Sequence, residues 1–254
     1  MRIFKLLLFV SFLLAPSFAF AWGPLTHIYL GNEIFSLGSL LPAGVYAIIK
    51  KYRHDFLYGN LMADIIIGKK FIPIDRNPHS WDMALGLLAC AKTQQQKAFV
   101  YGYMGHLAAD TVAHGSFMKK RRNIGHTLVE LRADSIIDKK YWFQAIRIDR
   151  AVQKRNDLFL EKSLDSTFLS FKTNKRIFRG VLLLSCFNKE RLGDFIQRSW
   201  FDPSVLTRRN IEQLQIQSID SMVDILSKGK SSEVAKKSPM VAIRRSIRHA
   251  WLSS

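Results

Sequence analysis

Acidic side chains are scarce in this chain. Asp and Glu number 20 against 38 Lys and Arg, for a formal charge of +18. A surface this basic is drawn to polyanions, either anionic lipid or nucleic acid, and charge alone does not choose between them. Cysteine is scarcer still, with only Cys90 and Cys186. There is no Cys-x-x-Cys pair, which argues against a thiolate metal site. Each cysteine sits in an apolar stretch, which fits two buried thiols as well as one bridge. Internal repeats, low-complexity tracts and Asn-Gly hairpin turns are also missing, and alternating apolar runs are few, so strand signals are poor. Beyond the N-terminus no apolar run is long enough to cross a membrane.

The N-terminus itself reads as an export signal. Arg2 and Lys5 precede an apolar run from Leu6 to Leu14, and Ala19-Phe20-Ala21 supplies the small-x-small pattern of a signal-peptidase site. The run is short for a membrane anchor. Residues 1–21 are therefore expected to be removed, leaving Trp22 as the new N-terminus of a secreted or periplasmic protein. Losing Arg2 and Lys5 leaves 36 basic against 20 acidic side chains, a balance of +16. The remainder, 22–254, is long enough for one domain with a real core.

Helical spacing dominates that remainder, which predicts an all-α, single compact multi-helix domain. Helices are expected from Thr26 to Leu37, Asp82 to Cys90, Gln95 to Met118 and Gly125 to Phe143. The third is strongly apolar, with Gly102, Gly105, Ala108 and Ala109 permitting close packing. From Arg147 onward the pattern is of basic helices broken near Asn174, Asn188 and Asp202-Pro203. Lys228 to Ser232 reads as a flexible surface link. No firm domain boundary is visible, only a change near residue 145 from sequence rich in metal-type ligands to sequence without them.

The chemistry sits in the first part. His106, Asp110 and His114 form His-x-x-x-Asp-x-x-x-His, and on a helix residues at i and i+4 share one face. The rest of that helix is apolar or small, so the stripe faces inward. A buried carboxylate is costly without a partner, and a metal cation suits this donor set. His126 and Glu130 form a second i, i+4 pair. A short basic loop, Lys119 to Asn123, favours an antiparallel hairpin. Folded about residue 120, it brings His114 level with His126, Asp110 with Glu130 and His106 with Asp134. His114, His126 and Glu130 then make a three-ligand zinc site with room for water. Upstream, His27, Asp64 and His79 are further metal-type residues. Taken singly they read equally well as a surface helix residue, a cap and a loop hydrogen-bonder.

Together these pieces resemble the zinc-dependent phospholipase C family and its relatives at the N-terminal end of glycosylphosphatidylinositol-specific phospholipase D. The matching residues are Ala21-Trp22-Gly23-Pro24 with His27, Gly59 with Asp64, His79, the run Tyr101 to His106 through Asp110 and His114, and His126 with Glu130. They span roughly residues 22 to 145. The resemblance implies three zinc ions. Trp22 (through its free amine and carbonyl oxygen), His27 and Asp110 would hold one. Asp64, His79, His106 and the bridging Asp110 would hold a second, and His114, His126 and Glu130 the third. There are departures: Ala63 stands where the family often has Pro before the Asp, and Asp55 is a lower-ranked rival to Asp64. The spacing of Asp110 to His114 is the compact one of the bacterial and phospholipase D-like pattern.

The implied reaction is phosphodiester hydrolysis releasing diacylglycerol and a phosphorylated head group. Water on zinc reaches a pKa of about 7, and Asp64 is a candidate both as ligand and as the base that orients it. Ser80 and Asp134 are possible supports for the ligands, though surface roles suit them better; His54 and His249 match nothing. A phospholipid or other phosphodiester substrate and an anionic membrane surface are the expected partners, with nucleic acid as a further possibility and no protein partner indicated.

Two rival readings remain. Single-strand-specific zinc nucleases also carry Trp-x-x-x-x-His, but Glu130 and the His106/Asp110/His114 spacing argue against them. A membrane-surface binder with a relic zinc site is the non-enzyme reading. There Val241 to Trp251 would lie on anionic lipid, although that stretch reads equally well as a solvated terminal helix.

Overall fold

The computed structural model describes residues 22–65, 77–116, 132–164, 170–184 and 207–239. Every regular element among them is helical. In chain order these are α1 (Pro24–Glu33), a 3₁₀ segment (Ile34–Leu40), α2 (Ala43–Lys51), α3 (Arg53–Met62), α4 (Trp81–Cys90), α5 (Gln94–Ser116), α6 (Lys139–Ile146), α7 (Arg150–Ser163), α8 (Phe171–Leu184) and α9 (Arg208–Lys228). Two short 3₁₀ turns, Gly229–Ser231 and Val234–Lys236, follow α9. The expected all-α class is the observed one.

Helix α5 is the axis of the fold. Its residues from Ala98 to Asp110 are almost all buried, as befits a helix that is apolar nearly all round. Helix α3 packs along one side of it and α9 along another, the most extensive helix pairings among the described residues. The α3–α5 crossing depends on glycine. A Cβ on Gly59 would lie 1.9 Å from the Phe99 carbonyl oxygen, and one on Gly102 would lie 1.9 Å from that of Phe56. The two backbones therefore touch, without side chains between them. This brings the end of α3, which leads into Asp64, directly against the stripe on α5.

Helix α7 is fastened to α3 by a polar contact. Asp55 is buried and accepts from Arg155 Nε at 2.7 Å, Arg155 Nη2 at 2.5 Å and Asn156 Nδ2 at 2.7 Å. That arrangement removes Asp55 as a rival to Asp64. It also predicts an asymmetry. Arg155→Ala strands a buried carboxylate, whereas Asp55→Ala leaves a guanidinium that is 42% exposed and can turn to water. We expect Arg155→Ala to cost about 3 kcal/mol and Asp55→Ala about half of that. Denaturant midpoints measured at equal m-value would show the order, and a reversed order would refute the argument.

Five local expectations change. The first predicted helix ends early at Glu33 and tightens into 3₁₀ geometry, with Leu37 non-helical. The stretch expected to run as one helix to Phe143 is broken at Ile136–Asp138, where Asp138 caps α6 by accepting from Lys140 N. Asn174 breaks nothing. It lies buried inside α8, which starts at Phe171, after α7 has ended at Ser163. Lys228 to Ser232 is no loose link either. Gly229 takes φ +56° to cap α9, and Ser232 is buried behind it. Cys90 is exposed and its thiol is free, because it falls on the outer face of α4. Residues 1–21, Cys186, Asn188, Asp202-Pro203 and Val241 to Trp251 lie outside the described residues.

Candidate metal centre

The centre starts at the N-terminus of α1. Pro24 occupies the first helical position, where its missing N–H costs nothing. The preceding Gly23 has no side chain to cap the helix, so the cap comes from a residue 108 positions beyond Thr26. Asp134 accepts from Leu25 N at 3.2 Å, Thr26 N at 2.9 Å and Thr26 Oγ1 at 2.8 Å. These are free N–H groups of a first turn, and a carboxylate there also suits the helix dipole. A Cβ on Gly23 would lie 2.4 Å from the Asp134 carboxylate. Trp22 is anchored separately. Its buried indole donates to the carbonyl of Ala109, the residue before Asp110, at 3.2 Å and to Ser218 Oγ at 3.0 Å. Together these contacts set the entry of α1 and hence the position of His27.

Five side chains meet at the end of this path. Asp110 lies at the middle, fully buried on α5. Its Oδ1 is 3.2 Å from His27 Nε2, while its Oδ2 is 2.9 Å from His79 Nε2 and 3.3 Å from His106 Nε2. Asp64 approaches from the end of α3, with Oδ1 3.6 Å from His79 Nδ1 and Oδ2 3.5 Å from His106 Nε2. The His27 and His106 rings stack with centroids 3.7 Å apart. His79 reaches in from the loop before α4. Its backbone N–H donates to Asn77 Oδ1 at 2.8 Å, and the Tyr103 hydroxyl donates to the Pro78 carbonyl. Ser80 closes that loop by accepting from Met83 N as the cap of α4.

His106 is aimed by its other nitrogen. Nδ1 lies 2.7 Å from the Asn60 carbonyl oxygen, which can only accept. Nδ1 therefore carries the hydrogen, and Nε2 is the atom turned to the carboxylates.

The electrostatics are those of a cation site. Burial presses the His106 imidazole toward its neutral form, but Asp64 and Asp110 outweigh it and raise its pKa to about 9. Burial and the neighbouring His106 charge lower the pKa of His27. Burial opposes ionisation of Asp110, yet His106 and His27 hold its pKa well below the usual carboxylate value. Both nitrogens of His27, Nε2 of His106 and both oxygens of Asp110 make no well-formed hydrogen bond although buried. Each such orphan costs about 1–3 kcal/mol. His27, Asp64, His106 and Asp110 each offer a ligand atom, all within 4.8 Å of one another. Tetrahedral zinc with bonds near 2.1 Å spaces its ligands about 3.4 Å apart, close to the separations found here. The donor set fits a divalent metal.

The sequence profile of the family described as zinc dependent phospholipase C matches residues 26–177, more than half of the chain. The chain belongs to this family. No curated protein and no solved structure matches it.

In this member of the family, the structure gathers His27, Asp64, His79, His106 and Asp110 into one buried cluster. His114 lies one turn beyond Asp110 on α5 and is partly buried; His126 and Glu130 lie outside the described residues. Asp134 does not meet His106 as the hairpin register suggested. It is drawn instead to the free N–H groups of α1. Neither Asp134 nor Ser80 has a surface role; both are buried caps that hold ligand-bearing segments. His54 is exposed on the first turn of α3. The Asn60 carbonyl was not foreseen, because a backbone acceptor leaves no mark in sequence.

Asp134→Ala should cost about 1–2 kcal/mol, the scale of a lost N-cap. It should also weaken zinc binding about tenfold by freeing the entry of α1. Zinc titration against a competing chelator would check this, and unchanged affinity would separate the cap from the metal centre.

Proposed function

We propose that the chain is an exported hydrolase that cleaves the phosphodiester bond of phospholipids in the manner of phospholipase C. Its cofactor is three zinc ions. The observation that carries the reading is the division of labour at Asp110, whose two oxygens face different histidines. That is the arrangement a bridging carboxylate requires. Trp22 and His27 would complete one zinc, Asp64, His79 and His106 the second, and His114, His126 and Glu130 the third. Removal of residues 1–21 would free the Trp22 amine for this role, in a secreted or periplasmic protein.

When bound, zinc supplies an acidified water and neutralises the phosphate oxygens. The chain's own groups do the rest. Asp64 stands where it can ligate or accept the proton of the attacking water. The Asn60 carbonyl keeps His106 in one tautomer, and Asp134 fixes the approach of His27. The buried apolar walls, among them Trp22, Leu107 and Ala109, exclude bulk water and strengthen each of these interactions.

Product analysis tests the reading. The zinc-loaded protein beginning at Trp22 should release diacylglycerol and a phosphorylated head group from mixed phospholipids. A chelator should abolish this and added zinc restore it. Nucleotides released from single-stranded DNA with lipid untouched would overturn the substrate assignment while leaving the metal centre in place.

A further inference from the structure

Of the six exposed large apolar side chains among the described residues, four lie on α6, α7 and α8. They are Phe143 at 46%, Ile146 at 38%, Leu158 at 49% and Leu183 at 49%. Two clefts run along the face these helices build, of about 300 Å³ and about 680 Å³. Ile146, Gln153, Lys175 and Arg179 line both, so the clefts form one groove. Its inner end is apolar, walled by Leu61, Met62, Phe178 and Leu182, and its outer end is basic.

The basic end carries Arg150, Lys154, Lys172, Lys175 and Arg179 against Asp157 and Glu161. Lys175 is paired with Asp157. Arg150, Lys154, Lys172 and Arg179 are exposed and form no ion pair among the described residues. Arg147 adds a further cation over the Phe143 ring, 5.4 Å from its centroid. Exposed apolar tips ringed by unpaired cations match one environment above others. In the boundary layer of an anionic bilayer, apolar side chains reach acyl chains while Lys and Arg stay among the phosphates. A nucleic acid would satisfy the cations but leave the four apolar tips against water.

We propose that the α6–α7–α8 face docks the protein on anionic lipid bilayers. The proposal deepens the phospholipase reading and rests on it for the presence of lipid. Leu61 and Met62, in the floor of the groove, immediately precede the turn that carries Asp64. Docking here would therefore bring the membrane to the side of the molecule from which α3 enters the metal centre.

The test uses the full zinc-loaded chain, vesicles of phosphatidylcholine with and without phosphatidylglycerol, and two variants. One carries Lys154→Glu, Lys172→Glu and Arg179→Glu; the other carries Leu158→Ser and Leu183→Ser. The wild type should sediment with the anionic vesicles, and each variant should bind them about tenfold or more weakly. Hydrolysis of a monomeric short-chain phospholipid should be unchanged in both variants, which also shows that they fold. Variants that bind vesicles like the wild type would overturn the proposal. So would binding lost only on removing Val241 to Ser254, or a face that holds single-stranded DNA and no vesicle. If the wild type fails on the monomeric substrate, the phospholipase reading falls, while vesicle binding still judges the face.

Discussion

Asp110→Ala is expected to remove zinc from the protein and lower kcat/KM by more than about 100-fold, beyond what losing a group one shell further from a metal costs. The argument is geometric. Among the described residues, Asp110 is the one side chain that lies within 3.3 Å of His27, His79 and His106 together. On the proposed assignment its loss would take a ligand atom from each of two metals, and it leaves three buried imidazoles without the carboxylate that balances them. Asp110→Asn keeps the shape but not the charge, and should lose metal nearly as completely. Metal content by elemental mass spectrometry, read beside activity, decides the matter. A protein that kept its zinc and its activity without Asp110 would show that this carboxylate bridges nothing.

The second large effect is on the α3–α5 crossing. Gly59→Ala and Gly102→Ala each place a methyl group 1.9 Å from a carbonyl oxygen of the facing helix. Backbone cannot yield as a flexible side chain can, so each should cost about 3 kcal/mol or more. For a chain of this size that lowers Tm by roughly 6–12 °C. The change should also weaken zinc binding, since parting the helices moves Asp64 and the Asn60 carbonyl away from His106 and Asp110. Gly86→Ala is the control. It is a helical glycine on α4 with open space around it, and there alanine should be neutral or stabilising by up to about 1 kcal/mol. Thermal melts of the three variants with and without zinc would separate the effects. A Gly102→Ala protein that melted like the wild type would mean the two helices are not in backbone contact.

The i, i+4 rule was enough to put His106, Asp110 and His114 on one stripe, because helical periodicity is local and α5 is helical throughout. The small residues at Gly102 and Gly105 were equally legible as a place of close approach. The upstream ligands were different. Nothing local distinguishes His27 from a surface histidine, or Asp64 from the Asp55 nine residues before it. The fold decides between the two aspartates, because Arg155 and Asn156, a hundred residues away, claim Asp55 and leave Asp64 to face His79 and His106.

Asp134 makes the same point. Hairpin register placed it level with His106. In the folded chain it turns instead to the N-terminus of α1, where Gly23 has no side chain to cap the free N–H groups and leaves room for a carboxylate. Its role arises from a vacancy in another segment, and no spacing within its own stretch of chain encodes that.

The helical class, the inward stripe on α5, the basic surface and the set of metal-type donors all follow from residue type and short-range periodicity. Which donors meet, which oxygen of Asp110 faces which histidine, and that the apolar tips of α6, α7 and α8 share one cationic face do not follow from either. Those facts depend on how far-separated segments pack, and packing is settled by close contacts, such as Gly59 against Phe99, that have meaning only once the helices are in place.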